Sequence, residues 1–89
     1  MSKKLQNAMP VGSTWNAHHS FVGGMGFRTV KGYKTKEMVL VNHAKGDTNT
    51  FLSWPKADLI DVSDPNVIKI MDESDPTKVL LTYTRVEGK

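Results

Sequence analysis

The sequence contains no cysteine among its 89 residues. This absence excludes a disulfide framework, a thiolate zinc site and a cysteine nucleophile. No apolar run approaches the roughly 20 residues that a membrane-spanning helix needs. Residues 1–10 also lack the apolar segment of a secretory signal. Because small secreted domains usually depend on disulfides, the composition predicts a cytoplasmic protein with no membrane partner.

A helical apolar repeat is also missing, since no stretch of twelve residues follows a convincing period of 3.6. The length predicts a single domain, which we place at residues 11–89 behind a flexible arm at residues 1–10. A chain this short has a thin core, and a deep substrate cavity would compete for the same apolar residues. This is a first argument against an enzyme.

Short runs rich in β-branched and aromatic residues alternate with turn residues at intervals of about ten, which is typical of an all-β sandwich or barrel. The predicted strands are Val11–Trp15, Phe27–Tyr33, Met38–Val41, Thr48–Trp54, Leu59–Val62, Val67–Met71 and Lys78–Val86. The most secure pair is the hairpin Met38–Trp54, because an unbroken apolar run precedes a turn at residues 44–47.

Two connections suggest how the strands are arranged. A long glycine-containing loop is predicted at Asn16–Gly26, and a single helical turn at Pro55–Asp58 precedes a short strand. This layout resembles SH3-like small β-barrels over residues 11–62. The resemblance implies an all-β fold, a small barrel of five to six short antiparallel strands, with the hairpin Val67–Val86 added at the C-terminal end.

Charge is distributed unevenly along the chain, although the net charge is only +3. Residues 1–57 carry eight basic and two acidic side chains, whereas residues 58–89 carry four basic and seven acidic ones. Such asymmetry either produces a basic binding face or disappears when the charges intermix on the folded surface.

The strongest candidate for a binding site is a basic and aromatic stretch beside the glycine loop. Lysine and arginine there would follow phosphates while aromatic rings stack on bases of a single-stranded nucleic acid. The predicted site residues are Phe27, Arg28, Lys31, Tyr33, Lys34 and Lys36, together with His18 and His19. Trp15 and Trp54 either extend this platform or belong to the core.

Other chemistry has weak support in the sequence. The run Gly23–Gly26 matches no phosphate-loop spacing, and no helix is predicted after it. Adjacent histidines on a strand point to opposite faces, although in a loop both could reach one ion. Because no carboxylate stands at a helpful spacing nearby, we predict no metal site at His18 and His19. Most of the clustered carboxylates stand in turns beside serine, proline and asparagine, where aspartate stabilises the turn locally; the set is Asp58, Asp61, Asp64, Asp72, Glu73 and Asp75. We therefore predict no catalytic residue and no cofactor.

The sequence leaves three binding hypotheses. The first is a non-enzymatic regulator or inhibitor that acts by protein–protein contact, of the compact kind found in phages and mobile elements. The second is a module for single-stranded nucleic acid that uses residues 27–36. The third is a homodimer formed through an unpaired edge strand, for which the long final strand Lys78–Val86 is the first choice.

Overall fold

The computed structural model describes residues 3–86, which form one antiparallel β-sheet and little helix. The elements in chain order are helix α1 (Lys3–Ala8) and strands β1 (Thr14–His19), β2 (Gly23–Tyr33), β3 (Glu37–Asn42), β4 (Thr48–Ser53), β5 (Ile60–Asp64), β6 (Val67–Met71) and β7 (Val79–Arg85), with 3-10 turns at His43–Lys45 and Ala57–Leu59. The all-β class expected from the sequence is confirmed.

The sheet has seven strands in the order β4-β3-β2-β1-β7-β6-β5, and it does not close into a barrel. The predicted count of five to six strands was therefore too low, and the SH3-like barrel is not confirmed. The segment predicted as a loop, Asn16–Gly26, instead contains the end of β1 and the start of β2, which pair directly. Glycine is rare in strands, so the sequence did not predict this part of the hairpin.

The last strand, β7, lies inside the sheet, where it pairs with β1 on one side and β6 on the other. Dimerisation through the edge of this strand was therefore the wrong choice. Strands β4 and β5 form the two edges of the sheet.

One face of the sheet, which we call the inner face, carries the core. Its fully buried members include Trp15, Val30, Met38, Leu40, Ile68 and Tyr83. Leu5 and Met9 pack into the same cluster from the N-terminal segment, and both are fully buried. Polar composition predicts a flexible arm here, but two apolar side chains suffice to bring α1 onto the sheet.

The two tryptophans both belong to the core side of the molecule. Trp15 is fully buried, and its indole N–H donates to Ser13 Oγ at 2.7 Å. Trp54 is partly buried, stacks on Tyr33 with ring centroids 5.8 Å apart, and donates to the Lys34 carbonyl at 2.8 Å. Each ring therefore buries apolar area while its one donor is satisfied.

Gly26, in strand β2 of the β1–β2 hairpin, lies against the turn after β3. Its φ of +84° lies in the region that L side chains rarely adopt, and a Cβ at this position would lie 2.6 Å from the Cβ of Ala44. Glycine is therefore required twice, for its conformation and for the close approach of the His43–Lys45 turn.

We expect Gly26→Ala to lower the free energy of unfolding by at least about 1 kcal/mol, because both strain and overlap are added. In thermal denaturation this corresponds to a fall in midpoint of about 4–8 °C per kcal/mol. Gly24→Ala is the matched control, since a Cβ there meets nothing within 4 Å. Adding Ala44→Gly to Gly26→Ala should restore part of the loss. Equal midpoints for the two single variants would contradict this account.

Candidate functional site

The structure separates the residues predicted as one binding site. Phe27, Lys31 and His18 lie on the outer face of the sheet, opposite the core, and Lys34 and Lys36 lie in or beside the turn between β2 and β3. Arg28 and Tyr33 lie on the inner face, as does His19 at the end of β1. Of the predicted set, Phe27 and the lysines therefore lie on the outer face or in the β2–β3 turn, whereas Arg28 and Tyr33 do not.

A β-bulge in β2 explains why Tyr33 is not on the outer face. The register with β3 shifts between Val30 and Gly32, so that Gly32 pairs with Val39 and Tyr33 pairs with the buried Met38. Simple alternation from Lys31 would have placed Tyr33 outside. One extra residue reverses the faces for everything beyond it.

Tyr33 thereby acts as a structural residue. Its hydroxyl donates to the carbonyls of Gln6, at 3.2 Å, and Met9, which ties the end of α1 to the sheet. Burial raises the pKa of the phenol above its ordinary value.

Arg28 is partly buried on the inner face. One terminal nitrogen contacts the Met25 carbonyl at 3.5 Å, while Nε is buried without a hydrogen-bond partner among residues 3–86. Burial raises the pKa of neighbouring Tyr83, and the charge of Arg28 opposes that effect. This guanidinium is therefore not part of the basic outer surface.

A basic and aromatic surface does form where the outer face meets the β2–β3 turn. Lys34 Nζ lies 5.4 Å from the centre of the Phe51 ring, and Lys31 Nζ donates to Asn49 Oδ1 at 3.3 Å. These side chains and Val39 line an open depression of about 320 Å³. We call this set, with Phe27 further along β2, the outer basic surface.

Phe51 belongs to this surface but was not among the predicted site residues. Its ring is 54% exposed because it pairs with Val39 on the outer face, whereas its neighbour Leu52 pairs with buried Met38. Alternation predicts only that Phe51 and Leu52 face opposite sides; the pairing with β3 determines which of the two faces outward.

A hydroxyl, an imidazole and a carboxylate form a hydrogen-bonded chain on the outer face. Thr29 Oγ1 lies 2.7 Å from His43 Nε2, and His43 Nδ1 lies 2.6 Å from Asp47 Oδ1. This is the order of groups in an acyl-transfer triad. Here, however, the Thr29 hydroxyl also bonds to Thr14 Oγ1 at 2.8 Å, and both His43 and Asp47 are solvent exposed. The chain fastens the β3–β4 turn to β2.

The aspartates serve turns, as the sequence predicted. Asp61, Asp64, Asp72 and Asp75 each accept a hydrogen bond from the backbone N–H two residues later. These bonds lower the pKa of Asp61, through the Ser63 N–H and hydroxyl, and that of Asp75, through the Thr77 hydroxyl and N–H. Within residues 3–86 no three acidic or histidine side chains gather as metal ligands would.

The tip of the β1–β2 hairpin exposes two adjacent apolar side chains. Phe21 is 83% exposed and Val22 is 71% exposed, which makes them the most exposed large apolar residues described. His19 Nδ1 accepts from the backbone N–H groups of Phe21, at 3.1 Å, and Val22, at 3.4 Å. Sequence reasoning missed both residues, although an apolar pair between His18–Ser20 and Gly23–Gly24 was a visible signal.

Comparison with known proteins leaves the function to be argued from geometry. No family model, no curated protein and no solved structure matches this chain. Among the described residues, no helix has the length and apolar character to cross a membrane.

We expect Tyr33→Phe to lower the free energy of unfolding by about 0.5–1.5 kcal/mol, because the carbonyls of Gln6 and Met9 lose their donor. Since the pKa of Tyr33 is raised in the folded state, its contribution is complete below the unfolded pKa near 10.0 and is lost as the pH rises through the folded pKa. Urea denaturation should therefore show a smaller difference in the free energy of unfolding between wild type and Tyr33→Phe at alkaline pH than at neutral pH. Unchanged stability would contradict a structural role.

Proposed function

We propose that this protein is a non-enzymatic binding module that regulates or inhibits another protein, and that it does so through Phe21 and Val22, the hairpin tip. The observation that carries the proposal is the exposure of these two side chains, 83% and 71%, at adjacent positions. Single exposed apolar residues are ordinary, whereas neighbouring ones at a projecting turn are typical of interaction sites.

Hydrogen bonds fix the conformation of the hairpin tip in the free protein. His19 accepts both backbone N–H groups of the turn, and its ring lies 5.8 Å from the Phe21 ring. Ser20 N–H donates to the Leu80 carbonyl at 2.9 Å, which fastens the base of the turn to β7. A preorganised turn loses little conformational freedom on binding, so more of the burial energy of Phe21 contributes to affinity.

The charges around the tip favour a protein partner over an anionic membrane. The bond from Ser20 to Leu80 places the tip at the same end of the sheet as the turn between β6 and β7. That turn carries Asp72, Glu73 and Asp75 against Lys78. Lys56 Nζ pairs with Glu73 at 3.4 Å, and the charge that remains is negative and would repel anionic lipid headgroups. A partner with an apolar pocket, rimmed by polar or basic groups, fits both features.

We expect replacement of both tip residues by serine to weaken partner binding at least about tenfold, because full burial of a large apolar side chain contributes about 1.5–3 kcal/mol. The experiment is capture from a lysate of the source organism on immobilised protein, with and without nuclease, followed by affinity measurement on the recovered partner. The same variant should keep its thermal midpoint, since neither side chain packs in the core.

Val11→Ser is the matched control, because Val11 is 60% exposed but stands outside the hairpin tip. Binding should survive this change. A partner that the tip variant and the Val11 variant retain equally well would refute the role of the tip. A partner lost on nuclease treatment would refute direct protein recognition.

A second candidate function has its own support, because Phe27 and Phe51 are about half exposed on the same face as Lys31. Lys34 adds a further charge beside the Phe51 ring. Exposed rings among lysines suit a single-stranded nucleic acid, with bases on the rings and phosphates near the ammonium groups. Arg28, which faces the core, plays no part in this version, and Tyr33 contributes only to the lining of the depression.

For this candidate, we expect affinity for a single-stranded oligonucleotide to fall steeply with salt concentration. Lys31→Ala and Lys34→Ala should each reduce the slope of log K against log salt by about 0.7–0.9. Lys45→Ala is the control, since Lys45 lies in the turn after β3 and outside the outer basic surface. Fluorescence anisotropy across a salt series provides the measurement. Salt-independent binding, or equal slopes for all variants, would exclude the nucleic-acid function.

A further inference from the structure

The two edges of the open sheet differ in how well they resist pairing with another strand. Edge strand β5 has a register irregularity between Asp61 and Asp64, carries both of these charges and is followed by Pro65. Bulges, charges and proline are the usual devices that prevent edge-to-edge association. The β5 edge is therefore protected.

Edge strand β4 has none of these devices. Its six residues, Thr48–Ser53, include no charge, no proline and no glycine. They pair with β3 in unbroken register from Glu37↔Ser53 to Asn42↔Thr48. An uncharged, regular edge of this kind is a template for another strand.

The hydrogen bonding of β4 to β3 fixes which residues face outward. Trp54 N–H donates to the Lys36 carbonyl at 3.2 Å, immediately beyond the paired strands. In an antiparallel pair, hydrogen-bonded positions recur at every second residue, so the even-numbered residues of β4 direct their N–H and C=O groups to β3. Asn49, Phe51 and Ser53 consequently direct theirs away from the sheet, and all three are exposed.

We propose that two copies of this chain associate by antiparallel pairing of β4 with β4, around a two-fold axis at Phe51. In this register Phe51 stands opposite Phe51 of the second copy, and Asn49 stands opposite Ser53. Every outward N–H and C=O of β4 then finds a partner. The two Phe51 rings, each 54% exposed in the single chain, become a cross-strand aromatic pair on the outer face.

A second copy fits this edge better than a different strand does. A two-fold axis requires a self-complementary strand, and Asn49, Phe51 and Ser53 carry no charge of their own. The charges beside them are Lys31, whose Nζ donates to Asn49 Oδ1, and Lys34, whose Nζ lies 5.4 Å from the centre of the Phe51 ring. The neighbouring outer-face residue Val39 is buried, whereas Phe51 remains 54% exposed although the Lys34 ammonium group lies beside its ring. The inference is independent of the hairpin tip, which belongs to β1 and β2.

The absence of cysteine allows a direct test of the register. Asn49→Cys and Ser53→Cys are prepared separately, so that each chain has one thiol and Phe51 is kept. In the proposed dimer a Cys at 49 faces a Cys at 53 with Cα atoms about 5.5 Å apart, within disulfide range. Two copies of the same variant hold their thiols about 13 Å apart along the strand.

Mild oxidation of the mixed variants should yield about tenfold more covalent dimer than oxidation of either variant alone. Sedimentation equilibrium of the unmodified chain should show a monomer–dimer equilibrium, and Ser53→Pro should raise the dissociation constant about tenfold or more. Proline at this outward position removes a donor from the dimer while leaving the bonds to β3. Circular dichroism establishes that each variant is folded.

Equal cross-linking in the mixture and in the separate variants would overturn the proposed register. An unmodified chain that remains monomeric up to about 1 mM would overturn the dimer itself, since that corresponds to less than about 4 kcal/mol of association energy. An unchanged dissociation constant for Ser53→Pro would show that the two copies do not associate through the edge of β4.

Discussion

The extra residue in β2, between Val30 and Gly32, determines the faces of the residues that follow it. Before the bulge, Arg28 and Val30 lie on the inner face and Lys31 lies outside. Beyond it, Tyr33 turns inward, where it stacks on Trp54 and donates to the end of α1. Without the bulge, Tyr33 would face solvent and the N-terminal segment would lose its hydrogen-bonded anchor. The hydrogen bonds from Tyr33 to the N-terminal segment therefore depend on this one irregularity, whereas Leu5 and Met9 pack on the sheet through their apolar side chains.

An open sheet must cover its inner face by some means other than closure. Here Leu5 and Met9 fill part of the core from one side, and the connection from β4 to β5 contributes Leu59 and the Trp54 ring. Lys4 Nζ donates to the Ala57 carbonyl at 3.1 Å, which links the two covering segments. This solution buries the apolar face but leaves two strand edges. The two edges, the protected one at β5 and the unprotected one at β4, are a direct consequence of the sheet being open.

The sequence predicted those features that local chemistry determines. The β3–β4 hairpin follows from the apolar run of β3 and the turn after it, and two aspartate turns follow from Asp64 and Asp75, each of which stands between a serine and a proline. The β1–β2 hairpin did not follow, because Gly23 and Gly24 are poor strand residues and their pairing depends on β1. The faces of Tyr33 and Phe51 depend on a bulge and on a strand partner, neither of which alternation along one segment reveals.

The seven aromatic residues divide by chemistry. The tryptophans and tyrosines are buried or partly buried, and Trp15, Trp54 and Tyr33 satisfy their polar atoms there. All three phenylalanines, the aromatics with no polar atom to satisfy, are instead 49–83% exposed. This is the reverse of the order that transfer from water favours. A stable core does not require the phenylalanines to be exposed, since exposed apolar area contributes nothing to folding. Phe21 at the hairpin tip and Phe51 at the β4 edge are the exposed rings that the two proposed contacts would cover, which would give their positions a physical reason.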